Sequence, residues 1–257
     1  SIEGNLVEGD FVRVFDNKGE FLAAGHYQPN SIAVRILTFD DIEADEAFFR
    51  KQIGKALEYR NFLGLFSNPD TNVFRLVHGE GDFLPGLVID YYNGIAVIQF
   101  HSVGMYRMRH LISAILVELM GGKISAVFDK SEGTIPRMAG LDVKNEFLFG
   151  SSQNVVVKEN GYKFIIDWNT GQKTGFFVDQ RENRELLNRY SEARKVLNMF
   201  AYTGGFSVYA MKNASLVHTV DSSSLATDLA DQNVKMNYGD DPRHVSYRTD
   251  AFQFLDG

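Results

Sequence analysis

The first forty residues alternate apolar and polar positions over short stretches that are separated by turn residues. The stretch Phe11–Phe15 alternates, Asp16-Asn-Lys-Gly19 reads as a turn, and Phe21–Gly25 and Ile32–Leu37 follow. This pattern predicts three short β-strands. Because three strands are too few to close a barrel, we expect residues 1–43 to form part of a small β-barrel.

From Ala44 onward the apolar residues recur with the period of an α-helix. Phe49, Ile53 and Ala56 would share one face of that helix. The spacing predicts an amphipathic helix within residues 44–72, connecting the barrel to the rest of the chain.

Residues 73–170 return to strand-like stretches with one helical stretch among them. The Asn93-Gly94 and Asn160-Gly161 pairs each predict a two-residue hairpin turn. The predicted helix runs from about Met105 to Met120. The predicted strands are Val73–Val77, Leu87–Tyr92, Ile95–Phe100, Ile124–Phe128, Val155–Lys158 and Lys163–Ile166. This composition of elements predicts a compact α+β domain.

After Asp167 helical and strand-like stretches alternate with short connections. The first predicted helix covers residues 179–190, with Leu186, Leu187 and Tyr190 facing inward. The strands that follow are Lys195–Phe200, Leu216–Val220 and Val245–Arg248, separated by helices from Phe206 and from Ser223 to Met236. Such alternation predicts a parallel, doubly wound sheet in residues 171–257.

The composition is that of a globular protein. Of 257 residues 44% are hydrophobic and 23% are charged, which excludes global disorder. The longest apolar stretch, Leu111–Met120, is too short to span a membrane. There is no cysteine, so no disulfide or Cys-ligated metal is expected, and a cytoplasmic location is the default.

Charge and histidine spacing narrow the function classes further. The net charge of −7 argues against a wholly basic nucleic-acid-binding surface but permits a local basic patch. The six histidines show no metal-ligand spacing, so no metal site is expected; they are His26, His78, His101, His110, His218 and His244.

An apolar strand at Val196 leads into a Thr203-Gly204-Gly205 turn that opens a helix. Two glycines let a ligand approach the backbone, and the helix start offers unpaired N–H groups. Asp221 and Asp250 end the next two strands, where carboxylates could bind a nucleoside. The alternative is structural: the glycines would close a tight connection and the acids would cap helices. Agreement at three successive strand ends favours a nucleoside pocket.

Several nucleoside ligands can be compared. A dinucleotide fingerprint would require glycines where Phe206 and Tyr209 stand, so NAD fits poorly. The segment Gly171-Gln-Lys173-Thr174 lacks the glycine spacing of a phosphate loop, so ATP fits less well still. S-adenosylmethionine fits better, because it needs acids for its adenosine and backbone donors for its amino-acid end, and it has no pyrophosphate.

Four segments carry a family resemblance: Gly171-Gln-Lys-Thr-Gly-Phe-Phe-Val-Asp-Gln-Arg-Glu-Asn-Arg184, Val196-Leu-Asn-Met-Phe-Ala-Tyr-Thr-Gly-Gly-Phe-Ser207, Val220-Asp-Ser-Ser223 and Asp250-Ala-Phe252. With the upstream run from Arg75 to Tyr91, they resemble the large-subunit (23S) ribosomal RNA methyltransferase I family. The resemblance implies an α/β fold class, namely a PUA-like RNA-binding barrel, an α+β middle domain and a Rossmann-like methyltransferase sheet. It also implies cytosine-5 methylation.

The resemblance implies a role for each matching residue. The methionine part of the cofactor would be cradled by Phe200, Tyr202, Thr203, Gly204 and Gly205. Asp221 with Ser222 would bind the ribose, and Asp250 with Ala251 the adenine. Lys173, Gln180 and Arg181 would shape the entrance, although Arg181 could instead pair with Glu185. Asn198 stands where the family usually has Asp, and it retains an acceptor while losing the charge.

The resemblance also implies a catalytic cysteine, which this sequence lacks. Cytosine C5 is a poor nucleophile until a thiolate adds to C6. We therefore expect the nucleophile beyond Gly257, a native chain longer by roughly a hundred residues, and an inactive segment on its own.

Basic residues of the barrel and connector helix are the candidate RNA contacts: Arg13, Lys18, Arg35, Lys51, Lys55 and Arg60. Each could equally belong to a solvated charged face. The expected partner is 23S ribosomal RNA, with a homodimer as a possible assembly. Two other functions stay open, a non-catalytic RNA-binding protein with a degenerate methyltransferase domain and a nicotinamide oxidoreductase.

Overall fold

The protein, seen in a computed structural model, is described over residues 3–135, 140–153 and 155–256. It divides into two compact units: residues up to 67 with 74–153, and residues 68–73 with those from 154 onward. Within the described ranges, none of the helices combines the length and the apolar character that a bilayer span requires.

The first unit begins with a three-stranded antiparallel sheet. Its strands are β1 (Phe11–Phe15), β2 (Phe21–Tyr27) and β3 (Val34–Thr38), in the order β1-β2-β3. The three strands predicted for this region are confirmed. β2 extends two residues beyond its predicted end, and β3 begins two residues later than predicted.

Helix α1 (Glu46–Phe62) follows, and the Asp45 carboxylate caps it by accepting the Phe48 N–H at 2.9 Å. Phe49, Ile53 and Ala56 are buried, so the predicted inner face is confirmed. Their burial packs α1 into the core of the first unit, which also includes Leu76, Leu87, Ile98, Ile112 and Leu116.

A mixed five-stranded sheet completes the first unit. Its strands, in spatial order, are β4 (Val73–His78), β5 (Leu87–Tyr92), β6 (Ile95–Phe100), β7 (Ala126–Asp129) and β8 (Glu146–Gly150). β6 and β7 are parallel, and the helices α2 (Val103–Arg107) and α3 (Arg109–Met120) connect them. The single helix predicted here is divided at Met108, and β8 was not predicted because its Glu-Phe-Leu-Phe-Gly sequence is short.

The second unit combines a hairpin with a parallel sheet. Its elements are β9 (Val155–Glu159), β10 (Tyr162–Ile166), α4 (Arg181–Tyr190), β11 (Lys195–Met199), α5 (Gly205–Ala210), β12 (Leu216–Asp221), α6 (Ser224–Tyr238), β13 (His244–Arg248) and α7 (Ala251–Asp256). Strands β11, β12 and β13 are parallel neighbours in that order, which confirms the predicted parallel sheet.

The β9–β10 hairpin belongs to this second unit, whereas the sequence analysis placed it in the middle domain 73–170. Two side chains of α6 explain its position. The amide oxygens of Asn233 and Asn237 accept the backbone N–H groups of Ile165 and Lys163 at 2.7 and 2.8 Å. The N–H groups at the edge of β10 are therefore hydrogen-bonded by the helix that connects β12 and β13.

Helix α4 departs from the prediction at two of its three expected inward positions. Leu186 is 47% exposed and Tyr190 is 72% exposed, Leu187 is half-buried, and Arg184 and Asn188 are buried. Arg184 is drawn inward because it pairs with the buried Glu159. Leaving that carboxylate unpaired would cost more free energy than burying the two apolar side chains would gain.

Arg60 of α1 has a structural role that its sequence context did not show. Its guanidinium binds both oxygens of Asp82 at 2.5 and 2.8 Å and also donates to the Arg75 carbonyl. Arg60 is buried, with 7% of its surface exposed. We therefore remove Arg60 from the predicted RNA contacts.

Replacing Arg60 by Ala should destabilise the protein by about 3–5 kcal/mol, because the nearly buried Asp82 carboxylate would lose its counter-charge. Urea unfolding of the two proteins measures the difference. Arg50→Ala on the same helix is the matched control, since Arg50 pairs with Glu46 and Glu118 on the surface and should cost much less. Equal losses for both variants would contradict a structural role for the Arg60–Asp82 pair.

Candidate cofactor site

The turn after β11 is tightly constrained. Phe200, Tyr202 and Gly204 have φ values of 55°, 47° and 72°, all in the left-handed region. A Cβ on Gly204 would lie 2.7 Å from the Ala230 Cβ and 2.9 Å from its Cα. The glycine that the sequence assigned to ligand approach is thus also required by the close passage of α6.

Gly205 meets a different neighbour. A Cβ there would lie 3.2 Å from Cδ of Arg184, the flexible stem of a side chain and not a backbone. The two glycines therefore differ: a side chain at position 204 would meet a helix backbone and adopt an unfavourable φ, whereas a side chain at position 205 would meet only the stem of Arg184.

Asp221 joins the ends of two neighbouring strands. One carboxylate oxygen accepts the Tyr202 N–H at 2.9 Å, and the other accepts the Ser223 N–H at 2.9 Å. The first bond crosses from β12 to the turn after β11, so the predicted meeting of these two strand ends occurs. Each carboxylate oxygen keeps further acceptor capacity, because a carboxylate offers about four lone-pair positions.

The Tyr202 hydroxyl holds a neighbouring loop over this region. It accepts the Gln172 N–H at 2.9 Å and donates to the Gly175 carbonyl at 3.0 Å. Burial raises the pKa of Tyr202 to about 12, so the hydroxyl keeps its proton for donation at neutral pH. A cavity of about 110 Å³ lies beneath the loop, lined by Asp167, Thr170, Gly171, Gln172, Tyr202, Asp221, Ser223, Leu225, Ala226 and Leu229.

Asp250 follows the third strand, β13, and caps the helix that comes next. Its Oδ1 accepts the N–H groups of Phe252 and Gln253 at 2.9 and 3.2 Å, which is helix capping. Among the described residues, neither Asp250 nor Ala251 lines the cavity beneath the loop. Because β12 and β13 are parallel neighbours, Asp250 still lies at the same edge of the sheet as Asp221.

Asn198 belongs to a buried chain of hydrogen bonds. Its Nδ2 donates to Ser207 Oγ at 2.9 Å, Ser207 Oγ lies 2.7 Å from Thr219 Oγ1, and Thr219 Oγ1 lies 2.8 Å from His244 Nε2. Burial lowers the pKa of His244, so its ring is neutral at pH 7. The chain links all three parallel strands to α5. An amide fits here because it donates where a carboxylate could only accept.

Each of the three predicted entrance residues contacts a different set of protein groups. Arg181 pairs with Glu159 at 3.4 Å and donates to the Val73 carbonyl, so the anticipated pair with Glu185 is not formed. The Lys173 ammonium lies 4.8 Å from the centre of the Phe177 ring. Gln180 bonds to Asp179 and Asn183.

Sequence reasoning missed a buried ionic cluster behind the turn. Arg184 Nε and Nη2 donate to the two oxygens of Glu159 at 2.7 and 2.8 Å, and Tyr209 donates to the same carboxylate at 3.0 Å. The guanidinium also lies 4.5 Å from the centre of the Phe176 ring. Arg184 had one usable signal, its position in the Gly171–Arg184 segment, but nothing in the sequence identified Glu159 as its partner.

Comparison with known families agrees with this geometry. A model of the S-adenosylmethionine-dependent methyltransferases matches residues 75–254, which include the glycine turn, Asp221 and Asp250. The chain belongs to that family. A PUA-like domain model matches residues 1–39, so the fold class predicted from the sequence is confirmed at both ends of the chain. In the described residues no group of three or more acidic or histidine side chains could hold a metal ion.

Individual relatives extend the comparison. Ribosomal RNA large subunit methyltransferase I of Aeromonas salmonicida is 38% identical over 99% of this chain and 64% of its own length. The chain therefore spans about 64% of the length of the curated relatives it matches. A structure from Streptococcus mutans described as a SAM-dependent methyltransferase has a TM-score of 0.85 at 24% identity, covering 98% of this chain and 65% of that one. A methyltransferase structure complexed with SAH also has a TM-score of 0.85, at 23% identity, covering 97% of this chain and 64% of that one. These two structures support the fold.

Gly204→Ala should weaken binding of S-adenosylhomocysteine at least tenfold, because the new Cβ would push the turn away from α6. Gly205→Ala is the matched comparison and should have a smaller effect, since the new Cβ would meet one side-chain atom at 3.2 Å and position 205 has no positive φ. Isothermal titration calorimetry measures both affinities. The same affinity for the Gly204 variant and the unaltered protein would show that the turn does not contact the cofactor.

Tyr202→Phe removes the two hydroxyl bonds that hold the 172–175 loop. We expect about a tenfold loss of S-adenosylhomocysteine affinity, the size of one or two lost hydrogen bonds. Titration calorimetry gives the affinity, and hydrogen exchange at the Gln172 amide should accelerate in the free protein. Faster exchange with unaltered affinity would separate the loop from cofactor binding.

Proposed function

We propose that the protein transfers a methyl group from S-adenosylmethionine to ribosomal RNA of the large subunit. The observation that carries the proposal is the 38% identity to a large-subunit methyltransferase over 99% of the chain. The parallel sheet, the glycine turn and Asp221 provide the site in which such chemistry would take place.

The residues at the strand ends fit this cofactor. The backbone of Tyr202, Thr203, Gly204 and Gly205 would hold the amino-acid end. Asp221 would accept bonds from the ribose hydroxyls through its remaining lone pairs, with Ser222 beside it. The cavity of about 110 Å³ would enclose only part of the cofactor, so the rest would extend along the sheet edge.

The remaining cofactor assignments are less direct. Asp250 and Ala251 would read the adenine from the third strand end, with Asp250 Oδ2 as the acceptor because Oδ1 caps α7. Lys173 would approach the cofactor carboxylate. Gln180 and Arg181 would act through loop shape, since their polar groups bond to protein atoms. Asn198 would support the turn through Ser207.

RNA would be bound through exposed cations of the first unit. Lys18, Lys51 and Lys55 are exposed. Arg13 is held by Asp41 and Glu43, and Arg35 by Gln28 and Glu80, so their charges are largely compensated. We therefore assign the larger share of the phosphate contacts to the lysines.

The proposed target atom is C5 of a cytosine. The cofactor would supply an electrophilic methyl group and leave as S-adenosylhomocysteine. C5 becomes nucleophilic when a thiolate adds to C6, and loss of the C5 proton with release of the thiolate would restore the aromatic ring. The 257 residues contain no cysteine, so within this proposal they would supply cofactor and RNA binding and not the thiolate. The target base would have to leave its stack to reach the site.

Two properties of the whole protein belong to the same proposal. An enzyme that modifies ribosomal RNA would act in the cytoplasm. The second property is the oligomeric state: sedimentation at several concentrations would show whether the protein forms the homodimer that we consider. A single monomeric species at all concentrations would remove the homodimer.

The test separates two proposals: that the protein methylates large-subunit RNA, and that the methylated atom is C5 of a cytosine. Calorimetry with S-adenosylhomocysteine should show saturable binding, and large-subunit RNA should compete better than small-subunit RNA for the protein. Mapping of 5-methylcytidine in large-subunit RNA, from cells with and without the protein, should reveal one lost methyl group. A methyl group lost from another atom would contradict cytosine-5 chemistry, and RNA methylation unchanged throughout would contradict the enzyme.

A further inference from the structure

The outer face of α1 combines cations with an unusually exposed aromatic ring. Phe62, the last residue of the helix, is 84% exposed. Lys55 and Lys51 are exposed about two and three turns earlier. At 3.6 residues per turn these three positions lie within about 40° of one another around the helix axis. One stripe of α1 therefore carries two ammonium groups and a ring.

A second exposed ring follows a turn that α1 holds from its inner face. Asp82 is bound to Arg60 of α1 through two hydrogen bonds, which ties the Gly79–Asp82 turn to the helix. Arg60 lies about 180° from Lys51 around the helix axis, so this second ring is not part of the stripe. The residue after Asp82, Phe83, has φ 58° and is 66% exposed. A bulky residue is disfavoured in this left-handed conformation, so the surrounding structure holds the Phe83 ring at the surface at a conformational cost.

The basic side chains of α1 differ in whether a carboxylate neutralises them. Arg50 is bound by Glu46 and Glu118. Lys51 and Lys55, in contrast, have no carboxylate within 4 Å among the described residues, although Glu58 lies on the same stripe. The two lysines thus present positive charge to solvent, on the same stripe as the Phe62 ring, which contributes little to the core.

We propose that Lys51, Lys55 and Phe62, together called the α1 platform, bind an unpaired segment of RNA. A base would stack on the Phe62 ring and phosphates would lie near the two ammonium groups, which is the combination that single-stranded RNA favours. Duplex RNA hides its bases and could use only the charges. The platform rests on the RNA substrate of the proposed function, but it does not depend on methyl transfer.

The experiment measures fluorescence anisotropy of a labelled RNA of about twelve nucleotides, as a single strand and as a duplex, with the whole 257-residue chain. Single strands should bind more tightly. Phe62→Ala should weaken single-strand binding about tenfold, whereas Phe83→Ala, which removes an exposed ring off the stripe, should change it little. Tyr190→Ala, which removes a ring 72% exposed on α4, is the matched control and should change nothing.

Two further variants test the charges. Lys51→Ala with Lys55→Ala should lower the slope of log affinity against log salt by about 1.4, or about 0.7 for each phosphate contact. Glu58→Gln should strengthen binding, because it removes the carboxylate of the stripe. Circular dichroism checks that these exposed substitutions leave the fold intact.

Several results would overturn the platform. Equal affinity for duplex and single strand with no effect of Phe62→Ala would show binding to phosphates alone. A concentration-dependent dimer that Phe62→Ala abolishes would identify a second copy of the chain as the occupant. Absence of RNA binding in a protein that still binds S-adenosylhomocysteine would reject the platform alone. RNA binding that follows the variants without cofactor binding would reject the proposed enzyme and keep the platform.

Discussion

The arrangement of the second unit depends on one buried ion pair. Glu159 is fully buried and Arg184 is 2% exposed, and two hydrogen bonds join them. Removal of one partner from such a pair costs about 3–5 kcal/mol, because the other charge is left in a medium of low dielectric. Glu159 ends β9, Arg184 lies on α4, and the Arg184 stem lies against Gly205. The pair thus connects the hairpin, α4 and the candidate cofactor turn.

The parallel sheet and its glycine turn could be predicted because both follow from local chain properties. Apolar stretches of five or six residues alternated with helices, and Gly204 and Gly205 stood where a strand enters a helix. Long-range partners could not be predicted in this way. Arg184 and Glu159 are separated by 25 positions, so the inward face of α4 was assigned to Leu186 and Tyr190 although the charge pair decides it.

Basic residues illustrate the same limit. Arg60 and Lys55 lie five positions apart on α1 and were both assigned to RNA contacts, yet Arg60 is buried against Asp82 and Lys55 is exposed. The planar guanidinium binds both oxygens of a carboxylate at once, which favours arginine in buried pairs, whereas the strongly hydrated ammonium favours the surface. For Asp250 the sequence left two roles open, because a helix cap and a ligand contact require the same residue type, and the structure shows the cap.

The close passage of Gly204 and Ala230 restricts a residue that touches no cofactor. Position 230 is completely buried on α6 and meets the turn through its Cα and Cβ. Serine or valine there would press on the backbone that follows β11, with the same result as a side chain added at 204. Position 230, in the middle of α6, should therefore accept only glycine or alanine unless the turn after β11 and α6 move apart.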